Sequence, residues 1–255
     1  MKRILTNRRF SMEILGCRKC RPTGRILADR LHANYIEERP RDSIVLRYGN
    51  SYTRDPVDGI IINKQEAVKL SSNKPLCKRT LIEHGIPTPR YYTFEEVQSG
   101  QVSFPLIVRR NGHSQGRWFY IVNNTRDLRK YDPSRHYIQE IVNKIDEYRL
   151  FVMKDRLIEA DLKVPPENNP HAMIRNHAKG SYFKWVRVNS LNSDLKRAVR
   201  DAVQLIGLDF AAVDCSTIQT PQGIKSTIFE VNSAPGLIDR KVDLFVNKLH
   251  ELYLD

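Results

Sequence analysis

The sequence lacks any long apolar run. No stretch approaches the roughly 20 consecutive apolar residues that a membrane-spanning helix requires, and the first residues lack the uninterrupted apolar core of a secretion signal. We therefore expect a cytoplasmic protein without a membrane partner. Hydrophobic residues nevertheless make up 40% of the 255 residues, which is enough for one large or two modest globular domains with a sizeable core.

Cysteine is scarce. The chain has four cysteines, Cys17, Cys20, Cys77 and Cys215, and the first two form a Cys-x-x-Cys pair. A structural zinc site needs four ligands at paired spacing, and the sequence contains no second pair. Free thiols are therefore favoured over a metal or redox site.

Acidic residues are outnumbered. The chain has 29 Asp and Glu against 42 Lys and Arg, a formal net charge of +13. The electrostatic field of a chain with this positive charge attracts polyanions, which include nucleic acid, nucleotides and acidic peptides. The basic residues are spread along the chain, and no RNA-recognition, zinc-finger or basic-zipper signature is present. Nucleic acid or another polyanion stays open as a partner, while solvated surface charge accounts for most of these residues.

The two common phosphate-binding motifs are also missing. Neither Gly-x-x-x-x-Gly-Lys-Ser/Thr nor Gly-x-Gly-x-x-Gly occurs. A loop between two predicted strands instead contains Gly112, Ser114, Gln115 and Gly116. Because glycine has no Cβ, backbone N–H groups in such a loop can close over phosphates; a plain turn is the alternative.

Strand and helix patterns alternate along the chain, without internal repeats. Two domain boundaries are expected, and the composition shift at Ser71-Ser72 marks the first. Strands are predicted at 11–16, 43–48, 104–108, 117–122, 137–142, 148–153 and 157–162, and helices at 22–38, 65–70, from about 75 to 85, and 193–206.

Polar residues interrupt two apolar strands near the end of the chain, at 210–214 and from residue 229 onward. Successive side chains of a strand point to opposite faces, so Glu230 and Asn232 share one face while Phe229 and Val231 point into a core. If the two strands pair, Asp214 supplies a third oxygen. This ligand set suits Mg²⁺ when phosphates complete the octahedron. An ordinary buried hairpin with a solvated polar edge is the alternative.

The order of these parts resembles the ATP-grasp superfamily, and in particular its RimK-like carboxylate-amine ligases. The resemblance covers residues 71–240. Lys74, after Asn73, resembles the family's phosphate-contacting lysine. The segment 105–109, which ends at Arg109, is similar to the strand that carries a second phosphate-binding cation, and the loop after it is similar to the glycine flap.

The resemblance also assigns an adenine site and a metal site. Gln139, Glu140, Ile141 and Val142 resemble the hinge on which adenine lies, and Glu147 takes the position that usually holds the ribose hydroxyls. The segments 213–214 and 230–237 match the metal signature, which implies that Asp214, Glu230 and Asn232 bind the metal. Lys163 is implied as a further cation near the phosphates.

Two positions depart from the family pattern. Arg109 stands where the family has lysine, and its planar guanidinium offers a two-pronged contact in place of a point charge. The family's Arg-x-Asn element appears as Arg175-Asn176, with Asn176 and Gly180 correctly spaced and the arginine displaced by one. Arg175 and Asn176 are kept as candidate catalytic residues.

The fold that the resemblance implies is α/β (α+β): an ATP-grasp fold with two lobes gripping ATP, preceded by a short N-terminal α/β domain. The expected domains are 1–70, a central lobe at 71–138 with the glycine flap, and a C-terminal lobe at 139–255 with the metal site.

The implied activity is an ADP-forming carboxylate-amine ligase that uses ATP and Mg²⁺, with Mn²⁺ as an alternative. ATP would convert a carboxylate into an acylphosphate, and an amine would then displace phosphate. The implied substrates are a small-molecule or peptide carboxylate and an amine. A kinase on the same fold that phosphorylates a hydroxyl is an alternative, as is a basic nucleic-acid-binding protein that kept the fold. The sequence indicates neither the individual substrates nor the oligomeric state.

Overall fold

Short strands and helices alternate along the chain in the computed structural model, which describes residues 11–41, 44–56, 58–112, 117–238 and 240–254. The strands are β1 Met12–Leu15, β2 Asn34–Ile36, β3 Ile44–Arg47, β4 Ile60–Ile62, β5 Tyr91–Tyr92, β6 Leu106–Arg110, β7 Phe119–Val122, β8 His136–Glu140, β9 Lys144–Met153, β10 Arg156–Val164, β11 Tyr182–Trp185, β12 Phe210–Thr220 and β13 Gly223–Asn232. The helices are α1 Arg21–Arg30, α2 Gln65–Ser72, α3 Lys74–Glu83, α4 Phe94–Gln98, α5 Thr125–Leu128, α6 Ser193–Ile206 and α7 Arg240–Leu249.

The chain divides into two units, Met1–Lys69 with Ser233–Asp255, and Leu70–Asn232. Residues 233–255 were expected in the C-terminal lobe, whereas the structure groups them with the first unit. Two contacts explain this grouping. Helix α7 packs against α1, where Arg30 pairs with Asp243, and the buried hydroxyl of Tyr48 donates a hydrogen bond to the carbonyl of Pro235.

The first unit contains a parallel sheet with the strand order β2-β1-β3-β4. Every residue of β1 and β3 is buried, as expected for a parallel sheet covered on both faces. The strands predicted at 11–16 and 43–48 are confirmed as β1 and β3. The helix predicted over 22–38 is too long, because the chain turns at His32, whose φ is +50°, and then enters β2.

The second unit contains two sheets. Strands β5-β8-β6-β7 form one antiparallel sheet, whose core includes Val108 and Ile138. Strands β11-β10-β9-β12-β13 form the other, also antiparallel. Helix α6 packs on β12 and β13. Its bounds match the prediction, since Asn192 caps its first turn and Gly207, at φ +81°, ends it.

The apolar residues of α6 recur at helical spacing, and this stripe is buried as predicted. No helix within the described ranges is both long and apolar enough to cross a membrane.

Candidate functional site

Strands β12 and β13 pair antiparallel, which confirms the pairing on which the metal prediction depends. Asp214 lies opposite Glu230, and Ala212 lies opposite Asn232. Val231, between the two polar residues, is buried in the core. Two carboxylates and an amide therefore meet on one side of the sheet.

A β-bulge follows this pair. The register continues from Asp214–Glu230 to Cys215–Ile228, so Phe229 is the extra residue of β13. The bulge turns Phe229 away from the core, and its half-buried ring lines a cavity. The prediction that Phe229 points into the core is therefore wrong, because it assumed regular alternation through this position.

The cavity has a volume of about 510 Å³ and is lined from both sheets and from α3 of the second unit. It brings together most of the residues singled out in the sequence. These are the cations Lys74, Arg109, Lys163 and Arg175, the segment Gln139, Glu140, Ile141 and Val142, and the polar residues Glu147, Asn176, Asp214, Glu230 and Asn232.

The predicted glycine flap is described only at its first residue. Gly112 follows β6, has a φ of +68°, and is not among the residues that line the cavity. Ser114, Gln115 and Gly116 lie outside the described residues. The role of the flap stays a prediction.

Helix α3 brings two lysines to β13. Asn73 caps the helix by accepting a hydrogen bond from the backbone N–H of Leu76. The Nζ atom of Lys74 lies 2.7 Å from Oε1 of Glu230 and 3.5 Å from Oδ1 of Asn232. One helical turn later, Lys78 donates to the carbonyl of Phe229 at 3.1 Å.

Lys78 is a buried cation. Its side chain is only 5% exposed, and burial lowers the pKa of its amine from 10.5 to about 8. Lys78 was not among the residues singled out in the sequence. Its spacing of four residues from Lys74 was a usable signal, since residues four apart share one face of a helix.

Arg149 and Lys163 surround Asp214. The guanidinium of Arg149 donates to both carboxylate oxygens, with Nε–Oδ1 at 2.8 Å and Nη2–Oδ2 at 2.9 Å, and Nζ of Lys163 lies 3.0 Å from Oδ1. Burial alone would raise the pKa of Asp214, but these two cations outweigh it and hold the pKa below the usual range. Arg149 was missed, although it lies two residues after Glu147 on the same face of β9.

Glu147 is held by two lysines. Lys144 reaches one carboxylate oxygen at 2.5 Å, and Lys163 reaches the other at 2.9 Å. Lys144 also donates to the carbonyl of Met173 at 2.6 Å. Burial lowers the pKa of Lys144, while Asp214 and Glu147 raise that of Lys163 against the effect of burial. Lys163 thus links the carboxylates of two neighbouring strands.

Aromatic rings lie under several of these cations. The ring centroid of Phe119 is 5.4 Å from Cζ of Arg109, and that of Phe183 is 5.4 Å from Cζ of Arg149 and 6.0 Å from Nζ of Lys163. Cations over aromatic faces at these distances are stabilised electrostatically. Neither ring was identified from the sequence.

Arg175 and Asn176 enter the cavity from the segment after β10. Asn176 precedes a short 3₁₀ turn, His177–Lys179, which Gly180 ends at a φ of +83°. The backbone carbonyl of Asn176 accepts hydrogen bonds from Lys179 and Ser181, both at 3.1 Å. This turn fixes the direction from which the two residues approach.

The oxygen donors fit a hard divalent cation. The described residues contain no group of three or more His, Cys, Asp or Glu side chains that could hold a metal by themselves. Asp214, Glu230 and Asn232 offer carboxylate and amide oxygens, which Mg²⁺ accepts when ligand phosphates supply the remaining positions.

No protein-family model matches the chain, and no curated protein matches its sequence. Solved structures do match its backbone. The ATP-grasp ligase PsnB, complexed with a minimal precursor, matches with a TM-score of 0.66 and 14% identity over 95% of this chain and 98% of that one. The chain has the ATP-grasp fold. The expected α/β fold class is therefore confirmed.

Two other solved enzyme structures also match the backbone of this chain. The D-alanine–D-alanine ligase from Bacillus anthracis matches with a TM-score of 0.63 and 14% identity, over 94% of this chain and 92% of that one. The N5-carboxyaminoimidazole synthase from Aspergillus clavatus matches with a TM-score of 0.59 and 14% identity, over 88% of this chain and 69% of that one. The RimK-like subdivision within the ATP-grasp fold stays a prediction.

Proposed function

We propose that the protein is an ATP- and Mg²⁺-dependent ligase that joins a carboxylate to an amine through an acylphosphate and releases ADP and phosphate. The charge of the cavity carries this proposal. Seven Lys or Arg side chains and four carboxylates are among the residues that line it. An excess of cations around two carboxylates and an amide suits a bound nucleoside triphosphate and its metal.

The matching structures support this choice of ligand. PsnB has been solved with Mg and ADP and with a precursor peptide and AMPPNP, and the B. anthracis ligase with ATP. We infer that this chain also takes a nucleotide, and that a peptide or small molecule supplies the carboxylate. Nothing in the fold comparison favours nucleic acid as a partner.

The cavity divides into an apolar and a charged part. Ile141 and Val142 follow β8, and with Phe229 they offer an apolar wall for the adenine ring. Gln139 and Glu140 end the same strand and line the cavity beside this wall. Glu147 is the candidate acceptor for the ribose hydroxyls.

Phosphoryl transfer needs positioning and neutralisation of charge more than covalent chemistry. Lys74, Lys78 and Arg109 line the cavity, and we assign to them the neutralisation of phosphate oxygens. Asp214, Glu230 and Asn232 would hold Mg²⁺, which when bound neutralises charge on the transferring phosphoryl group. Lys163 supplies a further cation beside Asp214.

Arg175 and Asn176 are the candidate residues for the acylphosphate. A guanidinium binds a carboxylate or phosphate through two parallel hydrogen bonds, which would hold the carboxylate in line with the γ-phosphate. An amine that arrives deprotonated from solvent needs no dedicated base in this scheme.

The test is incubation of the protein with Mg-ATP and pools of amino acids, peptides and cell extract, followed by mass analysis of nucleotides and products. ADP together with an amide product supports the ligase. ADP with a phosphorylated hydroxyl would replace it with a kinase, and nucleotide that neither binds nor turns over would refute both. Glu230→Gln should abolish turnover, while Glu83→Gln, at an exposed position on α3, is the matched control.

A further inference from the structure

The Cys-x-x-Cys pair lies in the first unit, where β1 leads into α1. Cys20 is the N-cap residue of α1, and Cys17 lies three residues earlier. Their Sγ atoms are 2.9 Å apart, which is about 1 Å longer than a disulfide bond of about 2.05 Å. Both residues are half-buried, whereas Cys77 and Cys215 are buried. A small movement would join the two sulfur atoms.

The turn that carries the pair is fixed by hydrogen bonds. The carbonyl of Cys17 accepts from the backbone N–H of Cys20 and from the hydroxyl of Tyr35, both at 3.0 Å. The backbone N–H of Cys17 donates to Sγ of Cys20, also at 3.0 Å. The two thiols are therefore held together in the reduced protein.

The two sulfur atoms have different surroundings. Sγ of Cys20 lies 2.7 Å from the carbonyl of Tyr48, 3.2 Å from that of Cys17 and 2.9 Å from Sγ of Cys17. These three acceptors compete for its single proton, and together they favour a protonated thiol at Cys20. The hydrogen bond between the two sulfur atoms lowers the pKa of Cys17 from 9.0 to about 6, and the same bond together with burial raises the pKa of Cys20. Cys17 is thus the thiolate of the pair, and Cys20 is the thiol.

The surroundings of the pair argue against a metal site, and the other two cysteines are unlike the pair. Cys77 and Cys215 are buried, and burial raises the pKa of both thiols. The described residues place no third His, Cys, Asp or Glu ligand with the pair, whereas zinc sites use three or four protein ligands. Two thiols held in contact without further ligands are suited to forming a bond with each other.

We propose that Cys17 and Cys20 form a redox-active dithiol that exchanges with low-molecular-weight disulfides. The thiolate of Cys17 attacks one sulfur of the disulfide and expels the other half as a thiolate. Cys20 then gives its proton to solvent, and its sulfur attacks the sulfur of Cys17 and expels the second half. The protein dithiol loses two electrons and becomes a disulfide, while the small disulfide is reduced to two thiols.

The first experiment treats the reduced full-length protein with excess oxidised glutathione at neutral pH, followed by intact-mass analysis and peptide mapping. The wild type should lose two hydrogen masses and yield a linked Cys17–Cys20 peptide. Cys20→Ser should stop at one glutathione bound to Cys17, and Cys17→Ser should react at least tenfold more slowly. Cys77→Ser should behave as the wild type.

The second experiment measures the rate of alkylation of Cys17 by iodoacetamide against pH. The midpoint should lie near pH 6 in the wild type and in Cys20→Ser, which keeps a hydroxyl donor, and should move toward 9.0 in Cys20→Ala. This outcome does not depend on the proposed ligase function.

Three results would overturn the proposal. They are a wild type that stays fully reduced in excess oxidised glutathione, a midpoint for Cys17 equal to that of the denatured chain, and stoichiometric zinc binding that requires both thiols.

Discussion

Replacing Lys78 with methionine should stabilise the fold while weakening nucleotide binding. The amine is buried, and its pKa of about 8 lies below the ordinary 10.5, which corresponds to a cost of about 3 kcal/mol for the charged form in the folded protein. Methionine has a similar length and no charge. The carbonyl of Phe229 would lose its donor, which costs about 1 kcal/mol. We expect a net gain of about 2 kcal/mol in the free energy of unfolding near pH 7.

The gain should depend on pH with a definite sign. Between pH 8 and 10.5 the unfolded chain binds more protons at this residue than the folded chain, so wild-type stability rises with pH in this window. The advantage of Lys78→Met should therefore be full below about pH 8 and disappear toward pH 10.5. Denaturant unfolding of both proteins across this range measures the difference.

Nucleotide titration of the same variant separates structure from function. If Lys78 neutralises phosphate, affinity for Mg-ATP should fall at least tenfold although the fold is more stable. Lys74→Met is the matched comparison, because it breaks the pair with Glu230 and should lower both stability and affinity. A Lys78→Met protein that is less stable than the wild type at pH 7 would refute the buried-charge reasoning, and unchanged affinity would remove Lys78 from the nucleotide site.

Three further changes test other contacts. Arg109→Lys should weaken nucleotide binding and Arg109→Ala should weaken it more, because lysine keeps the charge but not the two-pronged guanidinium. Arg110→Ala, at an exposed position, should leave the affinity measured by calorimetry unchanged. A larger loss for Arg110→Ala than for Arg109→Ala would show that Arg110, and not Arg109, contacts the nucleotide. Asp214→Asn should lower stability at neutral pH and flatten acid unfolding, since the lowered pKa of Asp214 makes its contribution present above about pH 4 and lost as the pH falls; an acid-unfolding curve like that of the wild type would contradict this. Tyr48→Phe removes the buried donor to Pro235 and should cost about 1–2 kcal/mol in thermal or denaturant unfolding, and equal stability would show that the hydrogen bond contributes nothing.

Patterns that repeat locally could be read from the sequence. Helix α6 carries an apolar stripe, a cap at Asn192 and a stop at Gly207, and each of these signals lies within the helix or next to it. The polar positions of β12 and β13 were found for the same reason, because alternation fixes which residues share a face.

Features that depend on distant partners were not predicted. The bulge at Phe229 exists only in the pairing of β12 with β13, and no residue type in β13 predicts it. The pair between Arg149 and Asp214 joins two strands far apart in the sequence. The turn at His32 has a left-handed backbone conformation without a glycine to signal it. Helical periodicity alone therefore predicted a helix that extends beyond the observed end of α1.

The return of residues 233–255 to the first unit has a consequence for synthesis. The ribosome completes all of the second unit before it makes α7, which packs against α1. The sheet of the first unit must therefore wait through the synthesis of β5 to β13 before α7 is available to pack against α1. A released chain that is truncated at Asn232 should resist proteolysis in 70–232 while residues 11–69 are still cleaved, which would show that the unit made later folds first.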